Sequence, residues 1–116
     1  LAIPPEDIKE YTIEIEGFKL VCPEALIILK QLAYYERKHS IKGEKDALDI
    51  LSILFFSAVD FKKYEKILLR YNIGSYFDDL KTLVISFRDY NSLGLSPREF
   101  KIKKENIIKE MRHPRR

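Results

Sequence analysis

Cysteine is nearly absent from this sequence: Cys22 stands alone among 116 residues, so no disulfide can form within one chain. Tryptophan is missing and histidine occurs twice, at His39 and His113, too far apart to supply the paired ligand spacing of a structural zinc site. Long apolar runs are missing too. The longest weakly polar stretch, ILSILFFSAV at residues 50–59, is about half of the roughly 20 residues a membrane-spanning helix requires, so it reads as a buried helix. The N-terminus lacks the charged-then-apolar layout of a secretory signal, and a cytoplasmic chain with no membrane role is expected. The four glycines form no phosphate-cradling loop, and neither a nucleophile elbow nor a Ser-His-Asp order is present. Leu1 stands where an initiator Met would, which suggests a piece of something longer.

Hydrophobic residues make up 46% of the chain, enough for one modest core, so a single domain over residues 1–116 is expected. Charged residues make up 34%, with a net charge of +3. From Arg98 onward eight basic residues face three acidic ones, a balance of +5 that leaves −2 for everything before it. The positive charge is therefore concentrated near the C-terminus.

Residues 1–22 read as an extended stretch around Pro4 and Pro5 followed by a β-hairpin. Ile13 and Ile15 alternate with Glu14 and Glu16, the chain turns near Gly17, and Phe18, Leu20 and Val21 resume. One face of such a hairpin is apolar, and it needs a helix beneath it or further strands to be stable. Residues 23–111 read as a bundle of about five helices, a mainly α (α+β) fold. Pro23 suits a first helical turn and Glu24 complements the positive helix end, giving a helix over about residues 23–38. The segment SIKGE breaks the pattern before a second, largely apolar helix over 44–57. Asp60 reads as the N-cap of a third, and the spacing of Phe77, Leu80, Leu83, Val84 and Phe87 sets a fourth over 75–90. Ser96, Pro97 and Glu99 form a capping-box signature for the last, ending near Met111 and leaving 112–116 as a frayed tail.

Within the first helix, Lys30 and Arg37 lie seven residues apart, so they share one edge to within roughly 20°. In the second, Asp46 and Asp49 are three apart, about 60° on the wheel. Antiparallel packing of the two helices would turn both pairs toward one cleft, with cations for a phosphate and a carboxylate to orient or deprotonate an attacking group. The same residues also suit a structural role, with Asp49 paired to Arg37 between helices and Lys30 reaching out from an apolar face.

Val21, PEALIILK at residues 23–30, Arg37, and KDALDIL at residues 45–51 together resemble the C-terminal half of nucleotidyltransferase-fold proteins, specifically the minimal nucleotidyltransferases and the abortive-infection-type toxin nucleotidyltransferases of toxin-antitoxin pairs. The match spans about residues 11–54. The resemblance implies an upstream catalytic domain with a Gly-Ser turn and an Asp-x-Asp pair that binds Mg2+ and an NTP. It also implies that Lys30, Arg37 and Lys45 contact the nucleotide phosphates while Asp46 and Asp49 complete the catalytic pocket, with a protein hydroxyl, a small molecule or tRNA as acceptor. This chain has no such early motif and is not expected to catalyse alone. Gly74 and Ser75 are followed too soon by Asp78 and Asp79, which read as helical, and Glu14 and Glu16 form an acid-x-acid pair that reads more readily as a solvated strand edge.

Two other readings compete. The basic C-terminal helix, through Lys103, Lys104, Arg112 and Arg115, could serve RNA or a partner protein. Alternatively, the unpaired hairpin edges could meet a second copy in a homodimer. The aromatic residues Tyr34, Tyr35, Phe55, Phe56, Tyr64, Tyr71, Phe77 and Phe87 recur at helical spacing and read as core.

Overall fold

Pro4 and Pro5 do not hold the chain extended as their composition suggests. They open a 3-10 helix over Pro5–Tyr11, because the fixed φ of Pro5 suits a first helical turn that needs no N–H. The computed structural model describes residues 3–37 and 41–112, with Arg37 described by its backbone alone. Strands β1, Thr12–Ile15, and β2, Phe18–Val21, follow and pair antiparallel. Glu16 at φ 49° and Gly17 at φ 83° form a two-residue turn with both residues in the left-handed region, the geometry that matches strand twist in tight hairpins. The N–H of Cys22 donates to the Tyr11 carbonyl at 2.6 Å and closes the hairpin's base.

Helices α1, Pro23–Arg37, and α2, Ile41–Phe56, form the most extensive interface in the molecule. The first turn of α2 takes in Ile41, Lys42 and Gly43, part of the expected break. Gly43 is buried there, so packing overrides its poor intrinsic propensity. Helix α3, Phe61–Arg70, starts at Asp60, whose carboxylate accepts the N–H groups of Lys62 at 3.0 Å and Lys63 at 3.2 Å. It ends in a left-handed Asn72, at φ 58°, with Ile73 N–H donating to the Leu68 carbonyl and Asn72 N–H to that of Leu69, a Schellman closure.

Helix α4, Tyr76–Ser86, stops four residues short of the expected Tyr90. Its last carbonyls are taken by cations: Lys104 donates to those of Ile85 at 2.8 Å and Phe87 at 2.9 Å, and Arg88 donates to that of Ile85 at 2.6 Å. A second 3-10 turn, Tyr90–Leu93, leads through Gly94 at φ 70° to α5, Pro97–Arg112. Arg112 thus belongs to α5, and the remainder of the expected tail lies outside the described residues. The capping box of α5 is reciprocal: Glu99 N–H donates to Ser96 Oγ and Ser96 N–H to Glu99 Oε1, both at 3.2 Å.

One core joins the helices, with Ile27, Ile28, Ile50, Leu51, Leu68, Leu80 and Val84 inaccessible to solvent. Phe55 and Phe100 stack between α2 and α5 with ring centroids 5.4 Å apart. Of the aromatic residues expected in the core, Phe55, Tyr64 and Phe77 are buried, whereas Phe56 at the end of α2 is 57% exposed. The radius of gyration is 14.2 Å, near the roughly 13 Å of a compact chain of this length. No helix is long and apolar enough to cross a membrane, among the described residues.

The hairpin departs most from expectation. Its register opposes Ile13 to Leu20 and Ile15 to Phe18 on one face, and Glu14 to Lys19 on the other. Nothing described covers the apolar face: Ile13, Ile15, Phe18 and Leu20 are 37%, 51%, 71% and 49% exposed. What holds the hairpin in place lies at its base. Arg70 of α3 donates to Glu10 at 2.5 Å and to the Tyr11 hydroxyl at 2.6 Å, while Tyr71 donates to Asp7 at 2.7 Å and its ring lies under the Arg70 guanidinium.

Two measurements check these assignments. In urea unfolding, Leu80→Ala should destabilise by about 2–5 kcal/mol, and Phe18→Ser by less than about 0.5 kcal/mol, because one side chain is enclosed and the other solvated. The Ser96 donors hold the Glu99 carboxyl below its ordinary value of 4.5. A carboxylate lowered in this way stabilises the fold above its unfolded pKa and loses that contribution as pH falls through its folded pKa. Glu99→Gln should therefore lower the melting temperature at about pH 6 and have little effect at about pH 3.

Candidate functional site

Of the predicted residues, Lys30 and Asp49 meet at the seam between α1 and α2. Only three residues separate these helices, and contact between the middle of each makes them antiparallel. The Lys30 ammonium donates to Asp49 Oδ2 at 3.1 Å, with both side chains 35% exposed. The partner that the structure gives Asp49 is thus Lys30, each lying midway along its helix, and the side chain of Arg37 lies outside the described residues. At this exposure such an ion pair is worth about 0.2–1 kcal/mol and stays open to exchange with another anion.

The two carboxylates of α2 do not share one environment. Asp46 is 2% exposed, whereas Asp49 lies at the seam and is about a third exposed. Lys45 is exposed and lines an open groove of about 510 Å3 between the first turns of α2 and the second 3-10 turn. Ile41, Leu48 and Phe87 form the apolar part of the groove and Glu44 and Asp89 contribute carboxylates. Lys30 and Asp49 are not in that lining, so Lys45 faces a different opening from the ion pair.

Glu24 has a role that the sequence concealed. It is 4% exposed and accepts the N–H of Asp60 at 2.8 Å, with the Lys63 ammonium 3.7 Å away, so a carboxylate in the first turn of α1 fixes the start of α3. Gln31, 3% exposed, extends the tie. It accepts the Tyr64 hydroxyl at 2.6 Å and donates to the Tyr76 carbonyl at 3.1 Å, joining α1 to α3 and α4. Burial raises the pKa of Tyr64 despite this hydrogen bond, so the phenol stays protonated as a donor. On the next turn of α1, Tyr35 donates to Asp79, and burial followed by that carboxylate raises its pKa as well. No side-chain signal in isolation marks Glu24 or Gln31 as ties, because their partners lie 36 and 33 residues away.

The acid pairs set aside in the sequence differ in kind. Asp78 and Asp79 lie in the first turn of α4. Glu14 is on β1 opposite Lys19, but Glu16 occupies the turn, so the two do not form an acid-x-acid pair along one strand. Among the described residues no three His, Cys, Asp or Glu side chains gather as metal ligands. His39 and His113 lie outside the described residues.

The chain matches no protein-family model, no curated protein and no solved structure.

Glu24→Ala removes the acceptor of a buried N–H and the partner of Lys63, and should destabilise the fold by about 1–3 kcal/mol in chemical denaturation. Glu24→Gln keeps an acceptor oxygen at the same position and should recover part of that loss. Equal stability of Glu24→Ala and the wild type would show that this contact does not tie α1 to α3.

Proposed function

We propose that this chain is the helical half of a nucleotidyltransferase-like protein, closing the nucleotide cleft of a separate metal-binding unit. The observation that carries the reading is the Lys30–Asp49 pair. Two residues named by the PEALIILK and KDALDIL segments meet at 3.1 Å across two helices while each remains about a third exposed. A cation held in this way is oriented yet not enclosed, and an approaching phosphate can replace Asp49 as its partner.

In this reading Lys30 binds phosphate, Asp49 orients the free ammonium, and Asp46 acts from the interior of α2 as a positioning residue. Lys45 serves from the neighbouring groove. Any Mg2+ belongs to the metal-binding unit, because the Gly-Ser turn and Asp-x-Asp pair that would hold it are not in this chain. The uncovered apolar face of Ile13, Ile15, Phe18 and Leu20 supplies the contact with that unit, and the hairpin leads straight into the helix that bears Lys30.

The test is nucleotide transfer by the natural translation product that carries this sequence. Lys30→Ala should lower the rate by about tenfold or more, equivalent to roughly 1.4 kcal/mol of transition-state binding, while stability changes by less than about 1 kcal/mol. The reversed pair Lys30→Asp with Asp49→Lys separates chemistry from structure. It restores the ion pair and the stability but leaves the phosphate opposite a carboxylate, so transfer should stay low. Recovery of transfer along with stability would reduce the pair to a structural role, and a natural product without transfer activity would overturn the reading.

A further inference from the structure

The C-terminal helix carries six basic residues, Arg98 to Arg112, and the structure divides them into two groups with different work. At about 100° per residue, the buried residues Phe100, Ile107 and Met111 lie within roughly 40° of one another. Lys103 and Lys104 flank that buried face, one on each side. Lys103 donates to the Phe55 carbonyl at 3.3 Å at the end of α2, and Lys104 takes the carbonyls of Ile85 and Phe87 at the end of α4. Burial, with Arg88 nearby, lowers the Lys104 pKa. These two lysines cap helices and do not face solvent as free charges.

Arg98, Lys101, Lys109 and Arg112 are all exposed. They fall within an arc of roughly 80° on the opposite side of the helix and run along it for about 21 Å. No described residue forms an ion pair with any of them. Glu105 is the one acid inside the arc, whereas Glu99 and Glu110 lie together to its side, about 100° from Arg98 or further. The charges on α5 are therefore sorted into a basic stripe.

We propose that this stripe binds the phosphate backbone of single-stranded nucleic acid without sequence preference. A single row of cations on one helix follows a single row of phosphates, whereas a duplex presents two rows across a groove. The stripe holds no aromatic side chain on which a base could stack, so contact is with the backbone alone. Lasting adsorption to a membrane needs apolar insertion beside the charge, and the apolar residues of α5 are spent on the core, apart from Ile102 at 49% exposure. This inference is independent of the reading given to Lys30 and Asp49.

Fluorescence anisotropy of the full chain with a labelled oligouridylate of about 20 nucleotides, across a range of salt, tests it. Four phosphate contacts predict a slope of log K against log salt of about −3. Neutralising Arg98, Lys101, Lys109 and Arg112 to Gln should weaken binding by about tenfold or more at low salt and flatten that slope, with the fold intact by circular dichroism. Lys103→Gln with Lys104→Gln should lower the melting temperature and leave the slope unchanged. Absence of binding at low salt, binding indifferent to the fourfold variant, or loss confined to the Lys103 and Lys104 pair would overturn the proposal. So would capture by phosphatidylserine vesicles with none by the oligonucleotide.

Discussion

The structure depends on the requirement that α1 bury several sides at once. Ile27 and Ile28 are adjacent in sequence and point about 100° apart, yet both are inaccessible, because α2 covers one side and α3 another. A helix enclosed in this way cannot leave a polar side chain unmatched without losing the hydrogen bonds that water had provided. Polar residues on the enclosed sides therefore carry ties to the neighbouring elements. Glu24 takes the start of α3, Gln31 takes Tyr64 and the first turn of α4, and Lys30 takes Asp49 of α2. Among the described residues no buried side-chain nitrogen or oxygen lacks a partner.

The same economy operates at helix ends. Terminal carbonyls that no backbone donor can reach need a partner, and α5 supplies it with Lys103 at the end of α2 and Lys104 at the end of α4. At the other end of the molecule, Arg70 holds the leading 3-10 helix through Glu10 and Tyr11. These cations are structural, and formal charge along the sequence overstates the charge available for binding. The hairpin beyond the Arg70 anchor is left with its polar residues on one face and its large apolar residues facing solvent, an arrangement that suits a surface to be covered.

Much of this was legible wherever the determining contact is local. The capping box of Ser96 and Glu99, the Asp60 cap, the turn at Gly17 and the mainly helical bundle with its leading hairpin all rest on interactions within a few residues. Boundaries depart from the local pattern where a distant group intervenes. The first turn of α2 extends back to Ile41 because packing buries Gly43, and α4 ends at Ser86, where Lys104 and Arg88 take its carbonyls. The candidate site shows the same division. That Lys30 and Asp49 would face one cleft followed from their spacing, but the pairing of Asp49 with Lys30 and the enclosure of Asp46, three residues away on the same helix, did not.

By itself the sequence determined the presence of the five α-helices, where several are capped, and that one hairpin face is apolar, since period, cap and turn chemistry act over a handful of residues. Only the tertiary structure decided which charges remain available. Lys103 and Arg112 have the same formal charge on the same helix, and what separates them is that one side of α5 meets carbonyls at the end of α2 while the other meets water. That distinction comes from packing between elements about 48 residues apart in sequence, a range over which periodicity carries no information.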